Sequence, residues 1–359
     1  MTLNQDMALD GHARSRRQFL AILAALGASA MLPHGAAPAT ASSKARRVDV
    51  HHHFFPPEYL EPLAAWNKQE GIAAGLQKPQ QDWSIAAALE EMDRGGVATG
   101  VLSISTPGVW FGEKGQARRL ARICNDYGAQ MGRDHPGRFG LFAAMPMPDI
   151  DGVLHEIEYA LDVLKADGIG FMTSYGDVWP GDPRFAPIFE ELDRRKAVAY
   201  FHPLSPTCCG HLLPGVPASL IEYPHDTARA VLSLLMSGAF ARYKNIRFLF
   251  SHAGASIPVL AGRIINGSKG RKDLAEIAPD GIEHELKKLY YDTANSAYPP
   301  TMAALLKFVP VSQVLFGSDF PYLTITQNVE GFAKLGLTGR ELRAIDRGNA
   351  ERLLPRFKA

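Results

Sequence analysis

Arg47-Val48-Asp49-Val50-His51-His52-His53 runs as a short apolar strand that ends on three imidazoles and is stopped by Phe54-Phe55-Pro56-Pro57. Side chains alternate along an extended chain, so the run predicts Asp49, His51 and His53 on one face and Val50 and His52 on the other. Two imidazoles two residues apart on one face can grip one cation, with His52 packed or hydrogen-bonded behind them. A solvated three-histidine loop is the plainer alternative, and the strand leading into the histidines argues against it.

Working outward, the same pattern recurs. Short apolar runs at 47–51, 98–103, 139–144, 168–172, 197–201, 246–250, 289–292 and 314–316 alternate with helical stretches. Among these, 85–94 carries Ala86, Leu89 and Met92, and 116–133 carries Leu120, Ile123 and Tyr127, at helical spacing. Eight strand–helix units predict a parallel α/β fold. No GxGxxG turn follows the first strand, which favours a closed (β/α)8 TIM barrel over an open doubly wound sheet. Residues 42–359 then form one barrel domain. The Pro/Gly-rich segments 175–183 and 203–217 follow strands four and five and would rim the barrel mouth, with 56–83 as a lid or excursion above it.

The 359-residue chain is 46% hydrophobic and 21% charged, which suits a folded globular protein rather than a disordered or fibrous one. Its 38 basic and 37 acidic residues leave a formal charge of +1, with no net attraction for a polyanion, so nucleic acid is not expected as a partner. Near the start, Ser15-Arg16-Arg17-Gln18-Phe19-Leu20 has the twin-arginine pattern, followed by an apolar run at 21–32 and by Ala39-Thr40-Ala41, a cleavage-type site. Residues 1–41 are therefore expected to be an export signal, giving a periplasmic or secreted mature protein. The apolar run is too short for a ~30 Å bilayer, so no membrane anchor is expected in the mature form. Cys124, Cys208 and Cys209 present no legible disulfide framework, since adjacent cysteines do not readily bridge to each other.

More polar residues end other strands. His202 follows 197–201, His252 follows 246–251, and Asp319 follows 314–318. In a barrel such residues converge at one end. The surface reading is preferred for His211, His225 and His284, which lie in loop or helical sequence. Trp110 and Phe111 after strand two, and Tyr175 and Trp179 after strand four, either wall a pocket or pack at its rim. Phe54, next to the histidines, is placed with Trp110 and Tyr175 among the substrate-binding candidates.

The DxHxH after strand one, Phe201-His202-Pro203, Ser251-His252-Ala253-Gly254 and Gly317-Ser318-Asp319-Phe320-Pro321 together resemble the amidohydrolase superfamily, and more narrowly its aminocarboxymuconate-semialdehyde decarboxylase-like branch. Trp83, Met92-Asp93-Arg94-Gly95-Gly96-Val97, Gly181-Asp182-Pro183-Arg184-Phe185 and Phe189-Glu190-Glu191-Leu192 look most like the 6-methylsalicylate decarboxylase group. The resemblance implies one divalent ion, zinc or alternatively manganese, on His51, His53, His202 and Asp319. It also implies a non-ligand catalytic role for His252, with Asp319 sharing the proton chemistry. Strand four, Gly168-Ile169-Gly170-Phe171-Met172, lacks the lysine that bridges two metals in other branches. The arginine that aminocarboxymuconate decarboxylases carry is missing from 86–91, which argues against that particular substrate. Arg263 matches an arginine that reaches a neighbouring subunit's site to bind substrate carboxylate, implying a homodimer.

The resulting expectation is non-oxidative decarboxylation of a small aromatic acid with an ortho hydroxyl. The alternative is hydrolysis of a lactone or amide through a metal-activated water, and a barrel that has lost its chemistry comes third.

Overall fold

In the computed structural model, which describes residues 47–210 and 212–358, eight parallel strands form one sheet in sequential order. They are β1 (Arg47–His53), β2 (Val97–Ser103), β3 (Phe139–Ala144), β4 (Gly168–Met172), β5 (Val198–His202), β6 (Arg247–Phe250), β7 (Tyr290–Asp292) and β8 (Val314–Leu315). The ring closes between the last strand and the first: Val50 N donates to Phe316 O, His53 N to Phe320 O and Asp319 N to His51 O, at 2.8–3.0 Å. The TIM barrel expected from the alternating pattern is therefore present. The expected export segment and its cleavage site lie outside the described residues. Among the described residues no helix is long and apolar enough to cross a membrane.

Two cores flank the sheet. Val48, Val50, Val101, Phe142, Val198, Tyr200, Leu249 and Leu315 fill the inside, and Leu353, Leu354 and Phe357 from the C-terminal end plug its floor. Outside, apolar helix stripes cover the strands; Met92 and Leu120 are fully buried there. The helix expected at 85–94 spans Ile85–Gly95, started by Ser84, whose hydroxyl accepts from Ala87 N. The helix expected at 116–133 spans Lys114–Asp134, where the Glu113 carboxylate accepts from the N–H groups of Gly115 and Gln116. Segment 56–83 holds helix Pro57–Gln69 and the short turn of helix Lys78–Asp82.

The structure corrects the first strand in one respect. Asp49 pairs with Gly100 and His52 with Leu102, so β1 spends three steps where β2 spends two. That bulge inserts one residue and changes which side chains share a face. Val48 and Val50 point inward, so Val50 does not share a face with His52 as expected, and His51 and His53 face the metal-type cluster. Asp49 instead joins His52 on the outer side, its Oδ2 being 3.0 Å from His52 Nδ1. The same carboxylate accepts from Ser318 N and Ser318 Oγ, tying β1 to the β8 turn. His52 is buried and stacks on Phe320, as expected for a residue behind the site.

A second correction concerns the cysteines. Cys208 and Cys209 form a vicinal disulfide in the loop after β5, against the expectation that neighbours would not bridge, while Cys124 is a buried thiol.

Candidate metal and active site

At the carboxyl end of the barrel, β1 delivers His51 and His53, β5 delivers His202, and the turns after β6 and β8 deliver His252 and Asp319. His51 Nε2 lies 3.0 Å from His53 Nε2, and each is 3.3 Å from Asp319 Oδ1. Donor atoms of His51, His202, His252 and Asp319 all fall within 4.8 Å of one another. His51 and His53 are fully buried, whereas the His252 side chain is 17% exposed and stands toward the open side. Its Nε2 is 3.5 Å from Asp319 Oδ2.

These turns are held in uncommon backbone shapes. His252, Ala253 and Ala255 have φ of 54°, 59° and 53°, and Asp319 has 68°. Such conformations cost non-glycine residues roughly 1–3 kcal/mol each and persist only where the surroundings hold them. Gly254, at φ 68°, has no Cβ because one would sit 2.5 Å from the Tyr291 ring. Gly317 likewise lets the β8 turn approach, since a Cβ there would meet His51 Cβ at 3.0 Å.

The donor set fits a divalent cation. The far nitrogen of each ligand-type imidazole already faces an oxygen: His51 Nδ1 faces Asp292 Oδ2 at 3.0 Å, His53 Nδ1 faces Ser103 O at 3.0 Å and His202 Nδ1 faces Pro203 O at 2.8 Å. An acceptor on that side is the arrangement that suits an imidazole binding a cation through Nε2. His51 Nε2, His53 Nε2 and Asp319 Oδ1 stand 3.0–3.3 Å apart, close enough for one cation to be shared among them.

Electrostatics divide the site. Burial alone would lower the pKa of His51, but Asp292 and Asp319 beside it push it up to about 10. Burial takes His53 below the ordinary imidazole range and, with His53 and His51 nearby, holds His202 well below it. Burial would raise the Asp319 carboxyl, yet hydrogen bonds from His252, His51 and His53 hold it well below the usual carboxylate range.

A cleft of about 920 Å³ opens over this cluster, lined by His202, His252 and Asp319 with Ser105, Thr106, Tyr223 and Tyr322. Among its described lining residues there is no lysine or arginine. Burial raises the phenols of Tyr223 and Tyr322, so both remain uncharged hydrogen-bonding groups.

The other candidates fall in different places. Trp110 and Tyr175 line a small apolar side pocket that shares His202 with the cleft, and the Tyr175 hydroxyl accepts from Met172 N. Phe111 packs on Tyr59 and Trp66. Trp179 Nε1 donates to the buried Asp226. Phe54 is fully buried in the outer core, stacked on Tyr127 and close to Gly128, and does not line the cleft. Arg263 lies on helix Ile257–Gly267 in an outer groove with Leu232, Leu260 and Arg271, away from its own chain's cleft. His225 is exposed at the cleft mouth, and the exposed His284 has Asp280 and Glu285 for neighbours, which sequence did not suggest. His211 is outside the described residues. Sequence reasoning also missed Asp292, although it ends strand seven as the other site residues end theirs.

Comparison with known proteins finds decarboxylases among the relatives. Decarboxylase yanB of Aspergillus niger is 36% identical over 330 residues, covering 87% of this chain and 88% of its own. A 6-methylsalicylic acid decarboxylase of Penicillium expansum is 33% identical, covering 87% and 97%. The crystal structure of a dihydroxybenzoic acid decarboxylase from Polaromonas sp. JS666 with bound manganese and 2-nitroresorcinol shares the fold, with a TM-score of 0.74 at 22% identity over 88% of this chain and 98% of that one. The family model described as Amidohydrolase matches residues 48–356, nearly the whole described barrel, and the chain belongs to the amidohydrolase family.

Proposed function

We propose that the protein is a metal-dependent, non-oxidative decarboxylase of a small aromatic acid with a hydroxyl ortho to its carboxylate, of the 6-methylsalicylate kind. The observation that carries this reading is the convergence of three Nδ1-anchored imidazoles and Asp319 beneath a half-open His252, in a cleft whose described lining holds no lysine or arginine. The 33–36% identical decarboxylases support it. A divalent ion on His51, His53, His202 and Asp319 would supply the positive charge that holds carboxylate and ortho oxygen and stabilises charge developing on the ring.

The chain's own groups do the remainder. In decarboxylation the bond between ring carbon and carboxylate breaks, carbon dioxide leaves, and the electron pair left on the ring carbon takes up a proton. His252 faces the cleft and shares a 3.5 Å approach with Asp319 Oδ2, so the pair can hold that proton beside the substrate. Neutral Tyr223 and Tyr322 offer hydrogen bonds without competing charge. Ile72, Pro217, Pro224 and Leu323 give the cleft apolar walls.

The proposal extends to zinc as the ion, with manganese as the alternative supported by the manganese-bound relative. It extends also to a homodimer in which Arg263 serves the neighbouring cleft, and to twin-arginine export of residues 42–359. The test is to incubate metal-replete protein with hydroxybenzoates in heavy water, following carbon dioxide and product mass. Carbon dioxide with one deuterium at the vacated ring carbon is expected. Lactone or amide turnover with solvent oxygen in the product, and no carbon dioxide, would instead establish the hydrolase alternative.

A further inference from the structure

Asp292 ends β7 fully buried, and beyond facing His51 it has been given no part in the reaction. Its two oxygens nevertheless serve three neighbours. Oδ2 stands 3.0 Å from His51 Nδ1. Oδ1 accepts the backbone N–H of His252 at 3.0 Å and that of Ala294 at 3.0 Å. One carboxylate thus touches a side chain of β1, the backbone that carries His252, and its own loop. Gly317 presses on it from β8, where a Cβ would lie 3.1 Å from Asp292 Cβ. Asp292 faces the Nδ1 side of the His51 ring, so it stands behind the donor cluster and not within it.

Each arm has a consequence. An imidazole presents a lone pair on Nε2 only when its proton is on Nδ1, and the group opposite Nδ1 decides this. His53 and His202 meet backbone carbonyls there, which no substitution removes. The Ser103 hydroxyl also lies 3.3 Å from His53 Nδ1, but of the three rings it is His51 that has a side chain and no backbone carbonyl at this nitrogen. The second arm holds a strained turn: His252 sits at φ 54°, and its N–H is anchored on Asp292 Oδ1.

We propose that Asp292 is a positioning residue that acts twice: it sets the tautomer of His51 and holds the β6 turn that aims His252 into the cleft. The proposal rests on reading His51, His53, His202 and Asp319 as metal ligands.

Asp292→Asn separates the two arms. The amide oxygen can still accept from His252 and Ala294, because the amide nitrogen would meet two N–H donors there. Its –NH2 group then faces His51 Nδ1 and can only donate, which drives the His51 proton to Nε2. Zinc affinity, measured by chelator competition, should fall ~10–100-fold, the usual scale for losing such a partner. At saturating zinc, Asp292→Ala, which removes both arms, should turn over at least about tenfold more slowly than Asp292→Asn. Nitrogen-15 NMR of zinc-loaded wild type should show a proton on His51 Nδ1, a readout that needs no variant to fold. Zinc affinity of Asp292→Asn within twofold of wild type, or an unprotonated His51 Nδ1 in the zinc-loaded wild type, overturns the His51 arm. Equal turnover of the two variants overturns the His252 arm. Wild type that takes up neither zinc nor manganese defeats the metal site itself, a result distinct from failure of Asp292 alone.

Discussion

Adding Zn2+ to metal-free protein at pH 6.0 should release about one proton per ion bound. Ligands must be deprotonated to bind, so the number released counts the protons the empty donor set carries. Burial pushes His53 and His202 below the ordinary range, and hydrogen bonds hold Asp319 well below its own, so the three bring fewer protons than free side chains would. His51, pushed up to about 10 between Asp292 and Asp319, brings one that the ion must displace. Three ordinary imidazoles of pKa ~6.5 would each be about three-quarters protonated at pH 6.0 and together release roughly 2.3. At pH 7.5 they would release only about 0.3, while His51 still surrenders a full proton. Working at pH 6.0 also stays below the ~7 to which zinc can lower a bound water. Calorimetric titration in two buffers of different ionisation enthalpy reads the number directly. Two or more protons at pH 6.0, or well under one at pH 7.5, would refute this division of charge.

The same group makes the metal-free fold sensitive to alkali. The raised His51 pKa contributes stability that is complete below about 6.5 and is lost as pH rises through about 10, at up to ~1.4 kcal/mol per pH unit. Between pH 7 and 10 the melting temperature of metal-free protein should therefore fall more steeply than that of zinc-loaded protein, and parallel curves would remove His51 as the cause. His252→Ala should keep zinc affinity within a few-fold while losing at least ~100-fold in kcat; near-normal turnover with full metal would take His252 out of the reaction. Gly254→Ala places a Cβ 2.5 Å from Tyr291 at φ 68° and should cost roughly 1–3 kcal/mol in a chemical denaturation series, whereas an unchanged midpoint would show that the turn relaxes freely.

The barrel was legible because strand-length apolar runs and helical stripes alternate cleanly along the chain, and all eight runs became strands within two residues or so of their expected ends. His202, His252 and Asp319 were legible by one rule, that polar residues closing barrel strands converge. Asp292 obeys the same rule, but a lone aspartate closing Tyr290-Tyr291 carries no neighbouring histidine or proline turn to mark it in the sequence. Other features leave no trace in a pattern of period two. A bulge adds one residue without changing composition, so nothing in Asp49-Val50-His51 announces that Asp49 turns outward with His52. Phe54 and Trp179 show the limit for aromatics: sequence gives their place beside a strand end, but burial against Tyr127 or a bond to Asp226 depends on helices far along the chain.

The seam that closes the ring sets when the donor set can exist during synthesis. Its bonds join residues as far apart as Asp49 and Ser318, 269 positions along the chain. His51 and His53 leave a ribosome early, His202 midway and Asp319 close to the end. A nascent chain therefore carries two and then three of these histidines through most of its synthesis, with no Asp319 carboxylate to complete the set. With the proposed ligand set, the full grip would appear only when the final turn docks on β1, tight metal uptake would mark the meeting of the first and last strands, and a chain truncated before Asp319 should bind metal only weakly, however many of its strands have formed.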